Sequence, residues 1–84
     1  MPGIATITLY GKPGCHLCEE ARAVVEQARI EQPFKLVEVD VSLDPRLHAL
    51  YGERIPVLEL DGHELFEYVV DPYVLRERLG RVDA

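Results

Sequence analysis

Two buried-strand patterns joined by one helical pattern occupy the first half of the chain. Residues 4–10 and 34–41 are rich in β-branched and apolar side chains on both faces, which predicts two covered strands. Between them, from Cys15 or His16 to about Ile30, apolar residues recur at spacings of three and four, as in an amphipathic helix. A strand reached through a crossover helix runs parallel to the strand before it. This βαβ unit therefore predicts an α/β fold with a parallel strand pair.

The second half of the chain predicts two further helices and a hairpin. Asp44-Pro45 and Asp71-Pro72 each combine an N-cap acceptor with proline at the first helical position. Residues 57–60 and 63–66 read as strands on either side of residues 61–62, an Asp-Gly pair typical of a type I′ turn. The predicted order is β-α-β-α-β-β-α, a four-stranded mixed sheet with helices on both faces.

Glycines and apolar residues complete the prediction for these two helices. Gly52 and Gly80 are expected to end them. The final helix is expected to bury its apolar side chains, which are Val74, Leu75 and Leu79.

Length and charge limit what such a chain can do. Its 84 residues allow one domain spanning residues 1–84, and a net charge of -6 argues against nucleic acid as a partner. The N-terminus lacks the features of a secretion signal, and no apolar run approaches the roughly 18 residues that span a bilayer. A cytoplasmic, monomeric protein that does not bind membranes is the expectation, and in that compartment cysteines are normally reduced.

Both cysteines of the chain lie in one tetrapeptide, Cys15-His16-Leu17-Cys18, where the first predicted strand gives way to the helix. Residues three apart in a helix share a face, so the two thiols lie within reach of disulfide geometry. A ring of about four residues stabilises a fold by only about 2 kcal/mol before strain is subtracted. A bridge that stabilises so little is better suited to opening and closing.

The position of each thiol predicts its role in thiol-disulfide exchange. Cys15 sits at the helix N-terminus, where free amide groups and the helix dipole favour a thiolate and hold the thiol pKa below its usual value. Lys12 acts in the same direction, whereas Glu19 and Glu20 act against it but remain solvated. Cys18 lies one turn further on the apolar face. Cys15 is therefore the expected nucleophile and Cys18 the resolving thiol.

Two other uses of the cysteine pair are possible. A zinc site would need His48 and His63 as further ligands, and their spacing does not match common zinc motifs. An inert core pair is disfavoured because Cys15 follows a Pro-Gly turn that should be exposed. His16 is expected to be a solvated residue of the helix start, since exchange requires no base.

The segment Tyr10-Gly11-Lys12-Pro13-Gly14-Cys15-x-x-Cys18, with Ile55-Pro56-Val57 before the third strand, resembles the glutaredoxins and their small thioredoxin-fold relatives. Within that group it is similar to glutaredoxin-like proteins that carry Cys-His-Leu-Cys-Glu and Arg-Ile-Pro-Val-Leu. The resemblance implies a thioredoxin-like fold and thiol-disulfide oxidoreductase activity on disulfide-bearing proteins or small thiols. A thiol reductant system would supply the electrons, and no bound cofactor or metal is expected.

The resemblance also implies how substrate is held. It predicts a cis peptide bond between Ile55 and Pro56, with the Ile55 backbone offered to an extended thiol-bearing substrate. Arg54 and Lys12 would form a positive rim on an acidic protein, suited to anionic thiols such as glutathione.

One part of the family pattern is missing. Glutaredoxins carry Gly-Gly followed by Asp after the hairpin, where their backbone approaches glutathione; residues 66–70 here are Phe-Glu-Tyr-Val-Val. Asp71 is expected to serve as an N-cap rather than replace that Asp. Glutathione as co-substrate and a reductase protein as electron donor both remain open.

Two functions from other classes compete with exchange. In the first, Cys15 from two chains and two external thiols would hold an iron-sulfur cluster. The second thiol, Cys18, weighs against this function, because a cluster-binding protein gains little from a competing disulfide. In the second, the fold is retained only as a non-catalytic interaction module.

Overall fold

Four strands form one mixed sheet in a computed structural model that describes residues 4–82. The strands are β1 (Thr6–Gly11), β2 (Lys35–Asp40), β3 (Val57–Leu60) and β4 (His63–Glu67). Their order across the sheet is β2-β1-β3-β4, with β1 parallel to β2 and antiparallel to β3, and β3 antiparallel to β4. The predicted parallel pair, the hairpin and the mixed four-stranded sheet are confirmed.

Three helices cover the two faces of this sheet. They are α1 (His16–Glu31), α2 (Pro45–Tyr51) and α3 (Pro72–Val82). In the main core, Ile7 and Leu9 of β1 cluster with Val25 of α1 and with Leu75 and Leu79 of α3. Successive strand residues point to opposite faces, so α1 and α3 share the face of Leu9, and α2 lies against the face of Tyr10.

A second, smaller cluster lies at the carboxyl end of β1. Its buried members are Cys18, Val41 and Ile55, with further partly buried side chains around them, which are Tyr10, Cys15, Leu47 and Tyr51. Helix α2 has no buried residue of its own, and it reaches the sheet through this cluster. The cysteine pair therefore sits where α1, α2 and the end of β1 meet.

The hairpin between β3 and β4 forms as its turn residues predict. Asp61 and Gly62 have φ angles of 50° and 86°, the left-handed conformation that a type I′ turn requires at both positions. The Asp61 carboxylate also accepts a hydrogen bond from the Thr6 amide at 2.9 Å. This bond ties the hairpin to the start of the central strand.

Several boundaries differ from the sequence prediction. Strand β2 ends at Asp40, because Val41–Leu43 form a 3-10 turn that the Asp40 carboxylate caps through the Ser42 amide at 2.9 Å. Val74 was expected to be buried and is exposed, whereas Leu75 and Leu79 are buried. Gly80 lies within α3 instead of ending it.

Every helix in residues 4–82 is too short or too polar to cross a bilayer. The expectation that the chain carries no secretion signal also concerns residues 1–3, which lie outside the described part of the chain.

Candidate active site

The loop between β1 and α1 presents the cysteine pair. Gly14 has a φ angle of 77°, which favours glycine, and the Cys15 amide bonds back to the Lys12 carbonyl at 3.4 Å. Cys15 has an extended backbone conformation and is the N-cap of α1, which starts at His16. Because this turn ends just before the helix, the Cys15 side chain lies beside the free amides of the first helical turn.

The two sulfur atoms of Cys15 and Cys18 are in disulfide contact, and their Cα atoms are 5.2 Å apart. The Cys18 amide donates a hydrogen bond to the Cys15 sulfur at 3.2 Å. This is the N-cap bond that serine or aspartate usually accepts. The first sulfur of the pair therefore already occupies a position where a backbone N–H would stabilise a negative charge.

The two cysteines differ in accessibility. Cys18 is 9% exposed and packs in the small cluster with Val41 and Ile55, whereas Cys15 is only half-buried. The sequence prediction that Cys15 is the more accessible sulfur agrees with this geometry.

A separate cleft of about 400 Å³ reaches Cys18 from the side of β2. We call it the Cys18 cleft; its lining combines the β1–α1 loop with the start of α1 and the end of β2: Leu9, Gly11, Lys12, Pro13, Gly14, Cys18, Glu19, Arg22, Glu38, Val39 and Asp40. Arg22 and Glu38 form an ion pair across it at 3.0 Å. Cys18, the more buried of the two cysteines, is among the residues that line this cleft.

The Ile55–Pro56 segment lies next to the cysteines, as the resemblance implied. The peptide bond between the two residues is cis, and Ile55 packs in the same small cluster as Cys18. The Pro56 carbonyl accepts a hydrogen bond from the Tyr68 amide at 2.8 Å. Segments far apart in the sequence thus converge on one edge of the cysteine pair.

Arg54 does not contribute free positive charge to the rim. Its guanidinium contacts Glu64 at 2.9 Å and Glu67 at 3.1 Å, and it also donates to the Leu50 carbonyl at 3.2 Å. The hydrogen bonds to Glu67 and then Glu64 raise the pKa of Arg54. The predicted positive rim was therefore wrong in its Arg54 half, because two carboxylates of β4 neutralise that side chain.

Lys12 lies in the loop before Cys15 and lines the Cys18 cleft. Among the described residues it forms no ion pair. Its positive charge is therefore not neutralised by a described carboxylate near the cysteine pair.

One cluster beside the site was not predicted. The Tyr10 hydroxyl donates to Glu59 at 2.9 Å, the Tyr51 hydroxyl approaches the same carboxylate at 3.4 Å, and the two rings stack with centroids 4.1 Å apart. Burial, and then the bond to Glu59, raise the pKa of Tyr10. A carboxylate within the apolar strand β3 was the available signal, since such a group needs a polar partner.

The histidines lie on the surface. His16, His48 and His63 are all exposed. Among residues 4–82, no group of three or more histidine, cysteine or acidic side chains is arranged to hold a metal ion. Within this part of the chain, His48 and His63 do not join Cys15 and Cys18 in such a group.

The sheet order and the cysteine pair at the start of α1 define a thioredoxin-fold protein with a redox-type site. The fold matches a thioredoxin mutant from Halobacterium salinarum with a TM-score of 0.72 and 23% identity, over 98% of this chain and 77% of that one. A family model, the glutaredoxin-like domain (DUF836), matches residues 6–80. The chain belongs to this glutaredoxin-like family.

Two solved bacterial structures are similar in both sequence and fold. Protein Ne2328 from Nitrosomonas europaea is 30% identical with a TM-score of 0.78, and the match covers 93% of this chain and 94% of that one. Protein XcR50 from X. campestris is 36% identical with a TM-score of 0.74, over 89% of this chain and 96% of that one.

Proposed function

We propose that this protein is a dithiol-disulfide oxidoreductase with Cys15 as nucleophile and Cys18 as resolving thiol. The observation that carries the proposal is the hydrogen bond from the Cys18 amide to the Cys15 sulfur, in a pair of which Cys15 is the more accessible member. That arrangement favours a thiolate on the sulfur that a substrate can reach. The proposed setting is a reducing cytoplasm, where a monomer would cycle between dithiol and disulfide.

The reaction has two exchange steps. The Cys15 thiolate attacks one sulfur of a substrate disulfide, forms a mixed disulfide and releases the other substrate sulfur as a thiolate. Cys18 then loses its proton through the Cys18 cleft and attacks the Cys15 sulfur, which releases the second substrate thiolate. Two electrons pass from the pair to the substrate, and an external thiol reductant returns them.

The neighbouring segments would hold the substrate. In this proposal the backbone at Ile55, next to the cis bond to Pro56, aligns an extended substrate against the pair. Lys12 supplies positive charge near Cys15, and Arg54 acts by fixing the β4 carboxylates rather than by binding an anion.

The two roles can be separated by single substitutions. Cys15→Ser should abolish reduction of a mixed disulfide, because the attacking sulfur is lost. Cys18→Ser should still attack and should accumulate mixed disulfides that mass spectrometry detects, because resolution is lost. Trapping by Cys15→Ser with Cys18 intact would reverse the assignment, and turnover by both variants would refute the exchange mechanism.

A coupled assay identifies the electron donor. Wild-type protein would be offered glutathione with its reductase in one reaction and thioredoxin reductase in another, with Cys15→Ser as the blank.

Anaerobic purification tests the competing iron-sulfur function, because a cluster would give visible charge-transfer bands that the exchange mechanism does not produce. A protein inactive with both donors and unable to reduce a mixed disulfide would be an interaction module.

A further inference from the structure

An apolar groove separate from the Cys18 cleft lies between α1 and the segment after β4. Its volume is about 180 Å³, and it lies between the first three turns of α1 and the segment after β4. We call it the substrate groove; it is lined by Leu17, Glu20, Ala21, Val24, Tyr68, Val69 and Val70. Leu17 is one of the two residues between the cysteines, so one wall of the groove adjoins the redox site.

The walls of the groove expose apolar surface that the fold does not bury. Leu17 is 41% exposed, Tyr68 45% and Val69 68%. Single exposed apolar residues are normal on a protein, but a contiguous patch beside a site marks an interaction surface.

The wall after β4 is held in an unusual conformation. Tyr68 has a φ angle of 67°, which is uncommon for a bulky residue. Its amide bonds to the Pro56 carbonyl at 2.8 Å and its hydroxyl to the Glu53 carbonyl at 3.2 Å. Such conformations persist where surrounding contacts impose them, and they cluster at binding sites. The groove is thus formed before any substrate arrives, which lowers the entropy lost on binding.

Size and charge limit what fills the groove. Small-molecule sites usually enclose about 300 Å³ or more, so a groove of about 180 Å³ suits one side chain rather than a whole tripeptide. Its one charged lining residue is Glu20, and the nearby Arg54 is already paired with Glu64 and Glu67. The local charge therefore complements a basic residue, not the two carboxylates of glutathione.

We propose that the substrate groove selects polypeptide disulfides in which an apolar side chain flanks the reacting cysteine and a basic residue stands next to it. The apolar side chain would occupy the space between Leu17 and Val69, and the basic residue would face Glu20. This inference rests on the proposed exchange function, which it deepens by naming the substrate class.

The test measures reaction of Cys18→Ser protein with short peptides whose single cysteine is activated as a thiopyridyl disulfide. Release of thiopyridone gives the rate of attack by Cys15. Peptides carrying Leu and Lys within two residues of the cysteine should react about tenfold faster than matched peptides carrying Ser and Lys, which corresponds to partial burial of one leucine side chain. Thiopyridyl glutathione should be slower than the Leu and Lys peptide.

Two pairs of variants test whether the peptide preferences arise in the substrate groove. Val69→Ser should remove most of the leucine preference, whereas Leu43→Ser changes an exposed leucine outside the groove and should retain it. Glu20→Lys should abolish any preference for Lys over Glu in the peptide. Glu19→Lys makes the same charge change in the same helical turn but lies in the Cys18 cleft, and it should retain that preference.

The outcomes separate this inference from the proposed function. If dithiodipyridine does not react with Cys15 at all, the exchange function fails and the inference fails with it. If dithiodipyridine reacts normally but leucine and serine peptides react equally fast, or glutathione reacts fastest, only the groove assignment is overturned. Retention of the leucine preference in Val69→Ser would also overturn it.

Discussion

Gly11 controls how closely the central strand approaches the buried sulfur. A Cβ atom at this position would lie 3.1 Å from the Cys18 sulfur and 3.2 Å from the Cys18 Cβ, closer than side chains normally pack. A side chain at this last residue of β1 would therefore require Cys18 to shift slightly.

Gly11→Ala should lower the free energy of unfolding of the oxidised protein by about 1 kcal/mol, because overpacking forces neighbouring atoms to shift. Urea denaturation measures the change. Gly80→Ala is the matched control: it lies inside α3, its added Cβ meets nothing closer than 3.8 Å, and it should be neutral or stabilising. Equal effects of the two substitutions would contradict the assigned role of Gly11.

Tyr10 makes the free energy of unfolding depend on pH in the alkaline range. Burial and the bond to Glu59 raise its pKa, so the folded state favours the protonated phenol. The stabilisation from a raised pKa is complete below the unfolded value of about 10 and is lost as pH rises above it. The free energy of unfolding should therefore fall with pH in that range.

Tyr10→Phe should remove that part of the alkaline slope, and it should cost about 1 to 3 kcal/mol at neutral pH because Glu59 loses a donor. Denaturation at a series of pH values measures both effects. Tyr73→Phe, which changes a phenol that is 79% exposed, should keep the wild-type slope. An unchanged slope in Tyr10→Phe would show that another group is responsible.

At the scale of one element, helix α3 depends on the carboxylate at its start. Asp71 accepts hydrogen bonds from the Tyr73 amide at 2.9 Å and the Val74 amide at 3.3 Å. The sequence prediction that Asp71 caps α3 is confirmed. A carboxylate engaged in this way is poorly placed to hold a ligand as well.

Asp71→Ala should destabilise the protein by about 1 kcal/mol, whereas Asp71→Asn should retain most of the stability, because asparagine caps nearly as well. Chemical denaturation provides both values. If Asp71→Asn is as unstable as Asp71→Ala, the charge of Asp71 matters rather than its capping bonds.

At the scale of the whole molecule, the net charge and the local charge near Cys15 have opposite effects on the rate at which small charged disulfides react with the pair. The chain carries a net charge of -6, and Arg54 is neutralised by its two glutamates, whereas Lys12 beside Cys15 has no ion pair among the described residues. A summed negative field lowers the local concentration of anionic reactants. We expect the net charge to dominate.

Cystamine, a cationic disulfide, should therefore oxidise the reduced pair about tenfold faster than dithiodipropionate, its anionic counterpart, at low ionic strength. Each rate would be corrected for reaction with a free cysteine peptide. The ratio should fall as salt is added, since the Debye length is about 10 Å at 0.1 M. Lys12→Gln should widen the ratio; a faster anionic disulfide in wild-type protein would show that Lys12 outweighs the net charge.

The local parts of this fold follow from short stretches of sequence. The Asp-Gly turn at residues 61–62, the N-caps Asp44 and Asp71, and the cysteine at the start of α1 depend on interactions within about four residues. Such interactions are encoded in residue type and spacing. The prediction that Val74 is buried was wrong, because burial depends on which other elements pack against α3, and Val74 is exposed.

By itself, the sequence determined the order of strands and helices, the parallel βαβ unit, and two sulfurs close enough to bond at a helix start. Only the tertiary structure decided that Arg54 is neutralised by two carboxylates of β4 and that Tyr10 donates a hydrogen bond to Glu59, which is 49 residues away. It also decided that Tyr68 lines a groove together with Leu17. The physical reason is that local hydrogen bonds and periodicity act between near neighbours. Contacts between distant residues form only after the sheet has set its strand order and register.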